Sequence, residues 1–78
     1  MQDIQKGNKY DGKVKKIVDF GIFVELFPHK DGLLHISKIP HSMQKNLAQE
    51  FPEGSRVQVE VLDYDAARGR ISLRYLSK

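Results

Sequence analysis

From Gly21 onward the chain alternates. Ile22, Val24 and Leu26 fall on one side and Phe23 and Glu25 on the other, which is the period of a half-buried β-strand. Three aliphatic residues claim the core side, so Phe23 stands on the outer side with a glutamate as its neighbour. Burying a Phe is worth roughly 1.5–3 kcal/mol, and a ring set on the wet side forgoes that and asks for a use. Phe20 precedes it by three residues, just before a glycine able to bend the backbone. Upstream, Tyr10 to Val18 reads as a first strand whose alternation slips, because Val14 and Ile17 are three apart. A β-bulge near Lys15-Lys16 is the simplest cause. It bends the strand as a small closed barrel requires and leaves at least two of Lys13, Lys15 and Lys16 facing outward.

After Phe27, Pro28 ends the second strand, and Asp31-Gly32 is the turn signal before a third. In Leu33 to Ser37, Leu34 and Ile36 take the inner side and Leu33, His35 and Ser37 the outer. Pairing strands two and three as a hairpin sets Phe23 and His35 on one outer face. The stretch from Lys38 to Gly54 changes period. Pro40 excludes a strand, Ser42 is a helix-capping residue, and Met43, Leu47 and Phe51 recur on one helical face, as core packing for a helix of about two turns that plugs the barrel. Pro52 and Gly54 close it. Arg56 to Leu62 and Arg70 to Tyr75 then alternate as strands four and five, with Arg70, Ser72 and Arg74 outward and the polar loop from Asp63 to Gly69 between them. Five strands with a short helix between the third and fourth is the plan of an all-β, five-stranded antiparallel OB-fold barrel. That fold binds oligonucleotides or oligosaccharides on the face of strands two and three and at the loops joining strands one to two and four to five. Phe20 falls in the first loop, Phe23 and His35 on the face, and Asp65, Arg68 and Arg70 at the second loop.

Composition narrows the chemistry. With 78 residues one domain is expected, with residues 1–5 a loose lead-in and residues 6–78 the folded unit. A chain this short buries only about 60 % of the surface it exposes when unfolded, which argues against a large catalytic cavity. There are no cysteines, hence no disulfide framework or Cys-based metal site. The net charge of +3 suits an anionic partner without specifying one. No apolar run approaches the ~20 residues of a membrane-spanning helix and no signal-peptide pattern opens the chain, so a soluble, cytoplasmic protein is expected. Asp19-Phe20-Gly21 spells a kinase tripeptide, but the companion motifs are missing. His29, His35 and His41 stand six apart, which is no zinc pattern, and no Ser-His-Asp group or carboxylate pair shares a plausible cavity. The expectation is a binding domain with no catalysis, cofactor or metal.

Gly12-x-Val14, Val18-Asp19-Phe20-Gly21-Ile22-Phe23-Val24, Asp31-Gly32-Leu33-Leu34-His35-Ile36-Ser37, Gly54-x-x-Val57 and Gly69-Arg70-Ile71-Ser72-Leu73 together resemble the S-one domain. This is the RNA-binding OB module named after the first protein of the small ribosomal subunit. The match runs over about residues 6 to 76, and among carriers of the module the wording is most like the C-terminal domain of polynucleotide phosphorylase. The resemblance implies two surface aromatics at Phe20 and Phe23, a strand-three histidine at His35, an acidic residue at Asp65 and a basic residue at Arg70. The last loop is one residue longer than the family pattern and carries Arg68 as well, so either arginine fills the basic role.

Single-stranded nucleic-acid binders combine a basic groove with rings on which bases stack. Phe20, Phe23 and His35 supply rings. Lys13, Lys15, Lys16, Arg68, Arg70 and Arg74 supply charge. The plainer readings are that Phe20 seals the barrel edge, Asp65 braces its turn and the lysines form a solvated face. The expected function is binding of single-stranded RNA with low sequence specificity, by a monomeric accessory module of a translation or RNA-processing protein. The alternatives are a protein-interaction module docking on a ribosome or nuclease core through the same face, and single-stranded DNA binding, which differs at the 2′-hydroxyl.

Overall fold

A computed structural model describes residues 4–78. Of the expected lead-in, residues 1–3 lie outside the described residues, and Ile4 is packed into the core at 8 % exposure. Five strands, β1 (Lys9–Val18), β2 (Gly21–Phe27), β3 (Lys30–His35), β4 (Arg56–Asp65) and β5 (Arg70–Ser77), form a closed barrel in the order β1-β2-β3-β5-β4. Four seams are antiparallel; β3 and β5 run parallel through Leu33↔Ser72 and Leu34↔Leu73. The alternation seen in the sequence builds the interior. Val14, Ile22, Val24, Leu34, Val57, Val59, Val61 and Leu73 are all fully buried, each worth roughly 1.5–3 kcal/mol relative to exposure.

The slip in β1 is a register shift between Val14 and Lys16 in the pairing with β2. Val14 opposes Val24 before it and Ile17 opposes Ile22 after it, so both apolar positions face inward on either side of one extra residue. Two glycines let the curved sheet close. A Cβ on Gly12 would run into the Val24 side chain, and a Cβ on Gly32 would stand 2.7 Å from Leu73 Cδ1 and 3.3 Å from Ile71 Cβ.

Gly32 also explains why β3 starts earlier than the turn signal suggested. Asp31-Gly32 is not a turn: these residues pair with Glu25 and Val24, and the chain reverses at Pro28-His29, where Phe27 opposes Lys30. Proline presets φ at the first central position, and His29 takes the positive φ, 68°, at the second. Gly32 is spent on the close approach of β3 to β5 rather than on turning. At its other end β3 stops at His35, and Ile36–Lys38 forms a 3₁₀ turn. Ile39, not Ile36, therefore fills the core.

Between β3 and β4, a 3₁₀ segment His41–Asn46 runs into the single helical turn α1 (Leu47–Glu50). Pro40, not Ser42, takes the capping position, and no side chain caps it. The segment is tied down instead by Gln44, whose Nε2 donates to the carbonyls of Ile36 and Ile39, both at 2.9 Å. Met43 and Leu47 pack on the core, and Phe51 is sealed within it, edge-on to Tyr75 at 5.6 Å. The expected loop after Leu62 is also shorter, since Asp63 to Asp65 continue β4 and pair with Ser72 to Arg70.

On the outer surface Glu60 accepts a hydrogen bond from the Arg74 guanidinium across β4 and β5. That bond, with the charges of Arg74 and Lys9, holds the Glu60 carboxyl below its ordinary range against a smaller desolvation effect. Because the folded-state value is depressed, the pair's contribution to stability is present above the ordinary carboxylate pKa and is lost as pH falls through the folded value.

Two outcomes are expected. Gly32→Ala overpacks the β3–β5 seam and lowers unfolding free energy by about 1–3 kcal/mol, read from urea denaturation; a neutral result would show that the seam yields. Arg74→Ala moves the Glu60 titration midpoint upward, read from its carboxyl ¹³C shift against pH.

Candidate nucleic-acid interface

Strand pairing lays one outward-facing row across the barrel. Lys16 of β1 opposes Phe23 of β2, Phe23 opposes Leu33 of β3, Leu33 opposes Ser72 of β5, and Ser72 opposes Asp63 of β4. Paired residues share a side of the sheet, so Phe23 lies between Lys16 and Leu33. Phe20 joins them from the β1–β2 turn. Its carbonyl accepts the Ile36 N–H at 2.9 Å, which ties this turn to the end of β3. A Cβ on Gly21 would collide with the Leu34 carbonyl, so only glycine lets the two strands meet there. Phe20 is 48 % exposed, and its ring meets Phe23 edge-on, centroids 6.3 Å apart at 85°. Phe23 is half-buried.

The two rings form one side of a cleft of about 640 Å³. Asp31, Gly32 and Leu33 of β3 floor it, and Gly69, Arg70, Ile71 and Ser72 close the far side. The parallel β3–β5 seam creates this cleft by bringing the β4–β5 turn alongside the β2–β3 face.

The expected site residues divide. Phe20, Phe23 and Arg70 meet at the cleft. His35 lies on the same outer side, opposite Gly21, but beyond the cleft wall. Its Nδ1 accepts the Ser37 N–H at 3.1 Å and lies 2.9 Å from Ser37 Oγ. Among the described residues Nε2 has no partner and faces the surface. Asp65 braces its turn: Oδ1 accepts the Arg68 N–H at 3.3 Å, and Oδ2 stands 3.8 Å from Arg68 Nε. Arg68 is at the tip of that turn, its side chain 70 % exposed, whereas Arg70, paired with Asp65 in register, lines the cleft. Lys13 opposes Glu25 on one side and Arg56 on the other and borders a separate depression of about 340 Å³. Lys15 holds two carboxylates, with Nζ 3.3 Å from Asp31 Oδ2 and 3.8 Å from Glu25 Oε2. Arg74 is taken by Glu60.

Leu33, Ser72 and Lys16 were legible as outward-facing by parity at most. Their place beside Phe23 depends on which strands pair. The sequence marks Asp31 as a turn residue, but it stands in the cleft, with Oδ1 enclosed and unbonded. Among the described residues no cluster of three or more His, Asp or Glu side chains is arranged to hold a metal ion. No helix among them is long and apolar enough to cross a membrane.

The sequence matches the S1 RNA binding domain over residues 3–76, and the chain belongs to that family of non-catalytic RNA-binding modules. It is 48 % identical over 71 residues to the polyribonucleotide nucleotidyltransferase of Acinetobacter baylyi, covering 91 % of this chain and 10 % of that protein. The chain spans about a tenth of the length of the curated relatives it matches. Among solved structures it resembles GSP13 from Bacillus subtilis, with a TM-score of 0.82, 37 % identity and coverage of 94 % of this chain and 56 % of that one. It also resembles a chain of the a/eIF2alpha-aDim2p-rRNA complex from Pyrococcus horikoshii, with a TM-score of 0.84, 29 % identity and coverage of 95 % and 45 %.

An exposed ring and a core ring differ in cost. Phe20→Ala forfeits the edge contact with Phe23, about 0.5–1.5 kcal/mol, and Phe51→Ala costs about 3–5 kcal/mol. Thermal or urea unfolding of the two variants separates a surface role for Phe20 from a sealing one.

Proposed function

We propose that this domain binds single-stranded RNA with little sequence specificity, as a non-catalytic accessory module of a larger RNA-processing protein such as a polyribonucleotide nucleotidyltransferase. The observation that carries the reading is the pair of phenylalanine rings meeting edge-on at the mouth of a cleft whose opposite wall carries Arg70. Bases stack on Phe20 and Phe23 at roughly 1–3 kcal/mol each. Such stacking discriminates little, because every base has a π-face. Arg70 stacks on a base or contacts a phosphate across the cleft. His35 offers Nε2 to a base or sugar beside Phe23, and Asp65 holds Arg68 at the rim, where its charge meets the backbone. Lys13 adds to the long-range field. The expected setting is the cytoplasm, with the isolated domain monomeric.

In an NMR titration with a short single-stranded RNA, shifts centre on Phe20, Phe23, His35 and the segment from Asp65 to Arg70. Affinity falls with salt by a log–log slope near −0.7 for each phosphate contacted. Phe20→Ala/Phe23→Ala weakens binding about tenfold or more with the fold retained. Unchanged binding in that folded variant, or shifts centred elsewhere, overturns this face as the RNA site. Equal affinity for the matching single-stranded DNA removes the RNA preference.

A further inference from the structure

Lys15 and Lys16 are neighbours in sequence and both are exposed, yet the barrel gives them opposite electrostatic situations. The bulge is the cause. In an uninterrupted strand with Val14 inward, Lys15 would point out and Lys16 into the core. The extra residue turns Lys16 outward, directly opposite Phe23, while Ile17 takes the inner position opposite Ile22. Lys15 has no register partner and reaches to Glu25 and Asp31. Its ammonium is thereby shared between two carboxylates and offsets part of their charge. Among the described residues Lys16 has no carboxylate within ion-pair distance.

The geometry points to Lys16 as a phosphate-binding residue of the RNA site, placed so that the RNA backbone leaves the aromatic cleft across β1. This rests on the RNA-binding reading above and adds the path of the strand. The row that crosses the cleft is cationic at one end, at Lys16, and anionic at the other, at the exposed Asp63 of β4. A polyanion entering between Phe23 and Arg70 meets attraction toward β1 and repulsion toward β4. Asp31, inside the cleft, is screened by Lys15 at 3.3 Å. Asp19, in the β1–β2 turn beside Phe20, is the other acidic group near this edge, and it lies outside the row.

The test is a salt titration of the 78-residue chain with a short fluorescent oligoadenylate, comparing Lys16→Ala, Lys16→Arg and Lys9→Ala. Lys9 is the control: it is on the same strand, opposes Glu60, and its loss changes the net charge equally. Lys16→Ala is expected to reduce the magnitude of the log–log slope by about 0.7, one phosphate contact on a single strand. Lys16→Arg should keep the slope, and Lys9→Ala should leave it unchanged. Equal changes in the Lys16→Ala and Lys9→Ala slopes would show a whole-molecule charge effect and overturn the proposal. So would a slope unchanged in Lys16→Ala while Phe20→Ala/Phe23→Ala still weakens binding, a result that leaves the RNA-binding reading standing. If neither the ring variant nor Lys16→Ala alters binding, both readings fall together.

Discussion

The parallel seam between β3 and β5 is the contact on which the rest of this molecule depends. Together with the antiparallel β1–β4 seam it joins the two halves of the chain, a three-stranded meander and a hairpin, into one closed wall. It is short, two register pairs, and it tolerates no side chain at Gly32, where a Cβ would press on Leu73 and Ile71. Closure serves two ends at once. It seals Leu34 and Leu73 against the other core residues, and it draws the β4–β5 turn up to the β2–β3 face, so that Arg70 stands across a cleft from Phe20 and Phe23. Core and candidate site are two sides of the same seam.

The bulge in β1 has the same double character. Structurally it keeps Val14 and Ile17 on the inner side of a strand too curved for unbroken alternation. Electrostatically it sorts two consecutive lysines, committing one to Glu25 and Asp31 and leaving the other beside Phe23. The exposed surface carries many charges, and most of those nearest the cleft are matched locally: Lys15 with two carboxylates, Arg68 with Asp65, Arg74 with Glu60. Among the described residues Lys16 and Arg70 are the cations beside the rings that form no ion pair, which is why the position of each cation says more about binding than the +3 net charge.

Much of the architecture could be read locally. Strand parity in β2, β4 and β5 names the core residues, because alternation is a property of the backbone and needs no partner strand. The helical spacing of Met43, Leu47 and Phe51 likewise names a core-facing side, although most of that segment forms as 3₁₀ turns anchored by Gln44 rather than as one helix capped by Ser42. Asp31-Gly32 misled for an instructive reason: Asp-Gly is a strong local turn signal, but here the missing side chain of Gly32 answers to a residue 41 positions away, Leu73. Pro28-His29 turns the chain instead, with a histidine accepting a positive φ.

By itself the sequence determined the all-β plan, the inner and outer faces of each strand, the outward-facing position of Phe23 and the presence of a slip in β1, since all of these follow from periodicity and residue chemistry within a few positions. The tertiary structure decided the rest: that β3 lies beside β5, that Arg70 rather than Arg68 lines the cleft, that Lys15 is spent on Glu25 and Asp31, and that Lys16 shares a row with Phe23. Those facts belong to pairs of residues on different strands. Their separation in space is set by the bulged register of β1 against β2 and by how the sheet closes, which alternation within one strand does not encode.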